Sequence, residues 1–186
     1  EQRYALAAVA PTAQDEASLG IREGLDGQRY YYRRTEAGVV RIGARRRRGD
    51  RMVEEAREEM VMPARLDDGT TWKSATTTTV LENSKPPWEN TFRVTVPVQL
   101  QYKVESRSAA VDTPAGRFDD CLLVRGAGHV AVDIGGNLGE TEIDVESREW
   151  YSRRAGLVRL ERTEQTSAQA LARGSLVMEL DEFHDR

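Results

Sequence analysis

The feature that most constrains the fold is a two-residue alternation that runs from Phe92 to Val104. Every even position is apolar, and most odd positions are polar or charged. A strand places successive side chains on opposite faces, whereas helical periodicity cannot produce this pattern. The segment is therefore predicted to be one long strand with a buried side and a solvent-facing side. The apolar positions are Phe92, Val94, Val96, Val98, Leu100, Tyr102 and Val104.

Other β-favouring segments follow at short spacing with turn residues between them, and no long helices alternate with them. Arg117 to Ile134 repeats the alternation less cleanly, and Gly126 and Gly128 are interpreted as a bend or bulge. Arg51 to Met62 is ambiguous because several of its residues favour helix, and strand is the preferred interpretation. The chain is predicted to be all-β, with an antiparallel curved sheet, half-barrel or sandwich of about eight to ten strands.

The first residues differ in composition from the rest of the chain. Residues 1–28 are rich in Ala, Gln, Asp and Glu, and Pro11 and several glycines interrupt any long periodic run. They are predicted to be a loosely attached lead-in with one short helix around Ala13 to Leu19. Residues 29–186 are predicted to form a single antiparallel β domain, because a chain of 186 residues is long enough to bury a core of its own.

Charge and cysteine content exclude several classes of function. The net charge is only -4, which provides no general field for nucleic acid. The run Arg45 to Arg48 is interpreted as cross-strand pairing with the acidic segment Glu54 to Glu59. Cys121 is the only cysteine, so an intrachain disulfide and a multi-cysteine metal site are excluded. The longest apolar stretch near the start, Leu6 to Ala10, is too short to cross a bilayer.

No residue pattern indicates catalysis, a metal site or a cofactor. His129 has carboxylates nearby in sequence, but its register opposes that of Val130 and predicts an exposed strand histidine. Cys121 precedes apolar residues and is predicted to be a buried, inert thiol. Oxygen-bearing side chains around the glycine-rich turn could bind calcium, but their spacing does not follow an EF-hand, so a solvated acidic hairpin is the preferred interpretation. The calcium candidates are Asp133, Asn137, Glu140, Glu142 and Asp144.

Three short sequence motifs occur in a recognisable order: Gly69-Thr70-Thr71-Trp72, then the stretch from Thr113 to Cys121, then Trp150-Tyr151 followed by Ala155 to Arg159. Together they resemble a group of uncharacterised bacterial exported proteins, often lipoproteins, with GxxW, PAGxFxxC and WYxxxxGLV motifs. The resemblance implies an all-β domain outside the cytoplasm, similar to the half-barrels of lipoprotein carriers such as LolA and LolB. The same motifs are also typical of turns that connect the strands of a β fold.

These observations favour a non-catalytic binding module whose curved sheet presents an apolar face to a lipid or another apolar small molecule. The alternative is that the same aromatic residues fill a core, and a second hypothesis is an envelope assembly component that binds another protein through a sheet edge. The chain begins at Glu1, which suggests a removed upstream segment and a periplasmic or lipid-anchored location in the bacterial envelope. The predicted ligand-binding residues are Trp72, Phe92, Tyr102 and Trp150.

Overall fold

The computed structural model describes residues 19–23, 29–45, 53–80, 94–133, 139–167 and 174–183. Within these ranges the chain forms ten strands and no helix, so the predicted all-β class is confirmed. No segment of this part of the chain is a helix capable of spanning a membrane. The strands are β1 (Leu19–Glu23), β2 (Arg29–Thr35), β3 (Gly38–Arg45), β4 (Val53–Pro63), β5 (Thr71–Val80), β6 (Val94–Thr113), β7 (Gly116–Asp133), β8 (Glu140–Ser152), β9 (Gly156–Thr166) and β10 (Gly174–Glu179).

Two segments had individual predictions, a short helix near the start of the chain and a strand at Arg51 to Met62. The short helix expected around Ala13 to Leu19 lies outside the described residues, apart from Leu19. Leu19 begins β1, which pairs antiparallel with β2. The ambiguous segment Arg51 to Met62 contains most of β4, which confirms the strand interpretation.

The strands form two antiparallel sheets. One has four strands in the order β1-β2-β3-β4, and the other has six in the order β10-β9-β8-β7-β6-β5. In both sheets each strand lies beside the strand that precedes it in the chain, so hairpin connections are sufficient. Every strand pair is antiparallel, which confirms the predicted antiparallel architecture, and neither sheet closes on itself.

The six-stranded sheet is strongly curled. The guanidinium of Arg162 on β9 donates a hydrogen bond to the carbonyl of Thr77 on β5 at 3.1 Å. In a flat sheet these two strands would be roughly 19 Å apart, because four inter-strand spacings separate them. One arginine side chain cannot span that distance, so the sheet must bend toward the face that carries Arg162.

The free edge of β5 is joined to the four-stranded sheet by side chains. Ala75 donates its backbone N–H to the carboxylate of Glu59 and accepts a 3.2 Å hydrogen bond from Arg41 at its carbonyl. Arg41 and Glu59 are register partners on β3 and β4. The Trp72 indole also donates to the carbonyl of Val61 at 2.8 Å. These contacts satisfy edge groups that would otherwise need a neighbouring strand or water.

The main core lies on the concave face of the six-stranded sheet. Its most buried side chains are no more than 2% exposed, and they come from alternate positions of β6 and β8. The β7–β8 register passes without a shift through Gly126 and Gly128, so of the predicted bend or bulge, the bulge is wrong with respect to β8. A Cβ on Gly126 would lie 2.8 Å from the Tyr102 ring, so this glycine makes room for the aromatic side chain. The core residues are Val98, Leu100, Ile143 and Val145.

The buried side of the β6–β7 hairpin changes along its length. Three register shifts lie between Val104 and Val111. Each extra residue in a ladder moves the side chains that follow it to the other face. Cys121 and Val124 are both buried, yet they are three residues apart in one strand and therefore face opposite sides of the sheet.

A second core forms on the convex side near the hairpin turn. Val111, Cys121 and Val158 are buried there. Leu180 packs against them, donates its N–H to the Val158 carbonyl at 2.8 Å and accepts from the N–H of Ala115 at 3.0 Å. The segment after β10 therefore covers this face where the main core ends.

Replacing Val145 with alanine is expected to lower the free energy of unfolding by about 2–3 kcal/mol, because it removes two methyl groups from a fully buried position and leaves a cavity. Val177 is the matched control, since it lies in a strand but is 54% exposed, and its alanine variant should change stability by less than about 0.5 kcal/mol. Urea denaturation followed by circular dichroism measures both. Equal effects at the two positions would contradict the described core.

Candidate functional site

A cleft of about 620 Å³ lies at the part of the β6–β7 hairpin where the buried side chains switch from the concave to the convex face. This volume is within the range of small-molecule sites in proteins. The walls come from the β4–β5 connection, from the middle of the β6–β7 hairpin and from the β8–β9 hairpin. Its apolar lining includes Met62, Leu66, Leu122 and Tyr151.

The β4–β5 connection is held firmly against β6. The N–H of Thr70 donates to the carbonyl of Asp67 at 2.9 Å, and this turn places Gly69 at a φ of 82°. A side chain at that φ would strain the backbone, so glycine suits the position. Gly69 and Thr70 then exchange two hydrogen bonds with the backbone of Val104. Leu66 is thereby fixed at the cleft wall.

The register shifts determine which β6 and β7 side chains reach the cleft. Arg107 lies within the shift between Ser106 and Ala109, and Asp120 lies just before Cys121 in the corresponding part of β7. Residues at a bulge leave the strict alternation of a strand, because the ladder is locally interrupted. The charged side chains of Arg107 and Asp120 can therefore line the cleft, although neighbouring positions in β6 and β7 are buried.

The cleft carries more positive than negative charge. Three arginines and two aspartates line it, although the whole chain has a net charge of -4. Arg107 and Asp67 form an exposed ion pair at 3.4 Å. Arg65 and Arg153 make no ion pair with any residue in the described ranges, and both are exposed. Two guanidinium groups are thus available to a bound molecule.

A buried carboxylate supports the inner wall. Glu149 is 9% exposed, and its Oε1 accepts a 3.3 Å hydrogen bond from the Tyr102 hydroxyl. The Tyr151 hydroxyl donates to the other oxygen, Oε2, so the carboxylate bridges a core residue and a cleft residue. Burial raises the pKa of Tyr102 well above its ordinary value, and the charge of Glu149 raises it further. Tyr102 therefore remains a protonated donor at physiological pH.

The structure brings two of the four predicted ligand-binding residues together. The rings of Trp72 and Tyr102 stack with centroids 5.3 Å apart and an interplanar angle of 11°. Trp72 is bonded to the backbone of Val61, next to the cleft residue Met62, and Tyr102 is linked to Tyr151 through Glu149. The aromatic pair is therefore connected through hydrogen bonds to the part of the chain that lines the cleft, but neither ring lines the cleft itself.

Trp150 is not part of this group. Trp150 packs in the second core with Cys121, and the Arg159 guanidinium lies 5.8 Å from the centre of its ring. Its neighbour Glu149 points to the concave face, so Trp150 points to the convex face. Phe92 lies outside the described residues.

The other candidate residues that the structure describes do not line the cleft. His129 is exposed, as expected, and its Nδ1 lies 2.9 Å from Asp144. Cys121 is fully buried, which confirms the predicted environment, and burial together with the charge of Asp120 raises the pKa of its thiol. No cluster of three or more His, Cys, Asp and Glu side chains able to hold a metal occurs in the ranges described. Asn137 and the arginines at 46–48 lie outside those ranges.

Sequence reasoning did not find the arginines of the cleft or the Glu149 bridge. A signal for Glu149 was present, because it occupies the same odd register as Ile143 and Val145 in β8. A carboxylate in a buried register requires partners. Arg65, Arg107 and Arg153 had no comparable signal, since arginines on loops and strands are usually solvated.

Comparison of this chain with known protein families, curated proteins and solved structures found no match.

Replacing Tyr102 with phenylalanine is expected to lower the free energy of unfolding by about 1–2 kcal/mol, because it removes a donor from a buried carboxylate. Tyr30→Phe is the control, since the Tyr30 ring contacts Arg41 and its hydroxyl bonds to no other described residue. That variant should remain within about 0.5 kcal/mol of wild type. Urea unfolding that gave the same loss for both variants would argue against the Glu149 bridge.

The His129–Asp144 pair predicts a specific pH dependence. The hydrogen bond to Asp144 raises the pKa of His129 above its ordinary value of 6.5. The contribution of the pair to stability is therefore fully present below about pH 6.5 and is lost as the pH rises through the raised pKa. His129→Gln should lower the melting temperature more at about pH 5.5 than at about pH 8.5. An NMR titration that placed the pKa of His129 at or below 6.5 would refute this assignment.

Proposed function

We propose that this protein is a non-catalytic binding module that takes the hydrocarbon part of a lipid, or another apolar small molecule, into the cleft beside the β6–β7 register shifts. The observation that carries the proposal is a cavity of about 620 Å³ with apolar side chains on several walls. Ligand sites of this size are usually lined by apolar side chains with a few polar groups that fix orientation.

The position of the cleft supports this function. The concave face is filled by its own side chains at the level of Leu100 and Val145, which are fully buried. A cavity of ligand size lies farther along the hairpin, where Leu122 and Tyr151 are half-buried. An apolar chain that lay against these two side chains would remove their remaining surface from water, which favours binding.

Trp72 and Tyr102 take an indirect part in the proposed site. Their polar atoms bond to Val61 and Glu149, so they are not free to bond a ligand. Their hydrogen bonds instead fix the backbone beside Met62 and, through Glu149, the side chain of Tyr151. A rigid wall lowers the entropy that would be lost when a ligand binds.

The proposal also includes a cellular compartment outside the cytoplasm and a half-barrel architecture. A curled, open six-stranded sheet is compatible with a half-barrel, and the resemblance to exported bacterial proteins favours the periplasm or an anchored position in the envelope. The alternative, an assembly component that binds another protein through a sheet edge, has narrower support. β10 lies at one end of the six-stranded sheet, and Val177 is its large exposed apolar side chain.

The experiment compares two adjacent leucines with a neutral apolar fluorophore, N-phenylnaphthylamine. Leu122→Gln should weaken binding of the fluorophore roughly five- to thirtyfold, because the apolar contact in the cleft is lost. Leu123 is also half-buried, but it lies on the opposite face beside Trp150, so Leu123→Gln should leave binding unchanged. A wild-type protein that does not bind the fluorophore, or an equal loss in both variants, would reject the proposed cleft function.

A further inference from the structure

We infer that the cleft selects amphiphiles whose head group is an anion, either a carboxylate or a phosphate monoester, through the guanidinium groups of Arg65 and Arg153. This inference rests on the proposed function, because it assigns the head of the same molecule whose apolar part occupies the cleft. It adds a charged subsite to the apolar one and names the class of ligand.

The first support is the balance of charge in the cleft. Arg107 is shared with Asp67, so one of the three cations is partly neutralised. Arg65 and Arg153 have no carboxylate partner in the part of the chain that the structure describes, and Asp120 is the one lining carboxylate outside an ion pair there. Two available cations therefore face one available anion, and an anionic head group improves this balance.

The second support is the position of the two arginines in the fold. Arg65 lies on the β4–β5 connection, and Arg153 lies in the turn between β8 and β9. Each approaches the cavity from its own wall, and the apolar residues Leu66 and Tyr151 lie next to them. The cleft thus combines an apolar surface with cations at its borders, the arrangement that suits a molecule with a hydrocarbon chain and a charged end.

The third support is the chemistry of the guanidinium group. Arginine is always charged at physiological pH, and its planar fork can donate two parallel hydrogen bonds to a carboxylate or a phosphate. A neutral alcohol offers one oxygen and no charge. Discrimination between an anionic head and a neutral head of equal chain length therefore measures the contribution of the arginines directly.

The test uses displacement of N-phenylnaphthylamine by three ligands of equal chain length: decanoate, decyl phosphate and decanol. At low ionic strength the wild-type protein should prefer the two anions over decanol by roughly three- to tenfold, because exposed charge pairs contribute modestly to affinity. The preference should shrink at about 0.5 M salt, since exposed charges are then screened. The neutral fluorophore reports the apolar cleft independently of head charge.

The double variant Arg65→Gln/Arg153→Gln should lose this preference while it binds decanol and the fluorophore as wild type does. Arg148→Gln is the matched control, because Arg148 is exposed and lies between two residues of the concave face, which places it on the convex face. That control should keep the full preference for the anions. Inorganic phosphate alone should not displace the fluorophore.

The outcomes separate the two proposals. If decanol and both anions bind equally well to the wild type, the head-group subsite is refuted and the apolar cleft stands. If the anion preference survives in the double variant, these arginines are not its source and the inference is overturned. Inorganic phosphate that competed as well as decyl phosphate would show a free-anion site instead. Failure of the fluorophore and all three ligands to bind would reject the proposed function and this inference with it.

Discussion

The backbone ladder between β6 and β7 is the constraint on which the rest of the structure depends. Over Tyr102 to Val104 the ladder is regular and buries its side chains on the concave face. Three register shifts then transfer burial to the convex face, where Val111 and Cys121 join a second core. Two cores on opposite faces leave a boundary between them that neither one fills, and the cleft lies at that boundary.

The Glu149 bridge connects the packed core to the cleft. A carboxylate at this depth would destabilise the fold if it lacked donors, because desolvation of a charge is costly. The hydroxyls of Tyr102 and Tyr151 provide those donors from two different strands. Removal of either hydroxyl would affect both the core and the cleft, since the same carboxylate accepts hydrogen bonds from Tyr102 in the stacked pair and from Tyr151 in the cleft lining.

The sequence was sufficient for the fold class and for the most regular strand. Alternation identifies β6. It also indicates that Trp150 faces away from Glu149 in β8, and this separates Trp150 from Tyr102, with which it was predicted to share a site. The cleft could not be found in this way, because Arg107 and Asp120 lie at bulges, where periodicity stops predicting orientation. The position of Arg65 depends on a turn that is held by hydrogen bonds to Val104, a contact remote in sequence.

The side-chain contacts at the β5 edge have a consequence for self-association. An unprotected edge strand offers a row of backbone donors and acceptors on which another copy of the chain can build. At Ala75 both groups are already occupied, one by the carboxylate of Glu59 and the other by the guanidinium of Arg41. A foreign strand would have to break two charge-assisted hydrogen bonds before it could pair there. The contacts between the two sheets thus hinder pairing of a second copy with the β5 edge at Ala75.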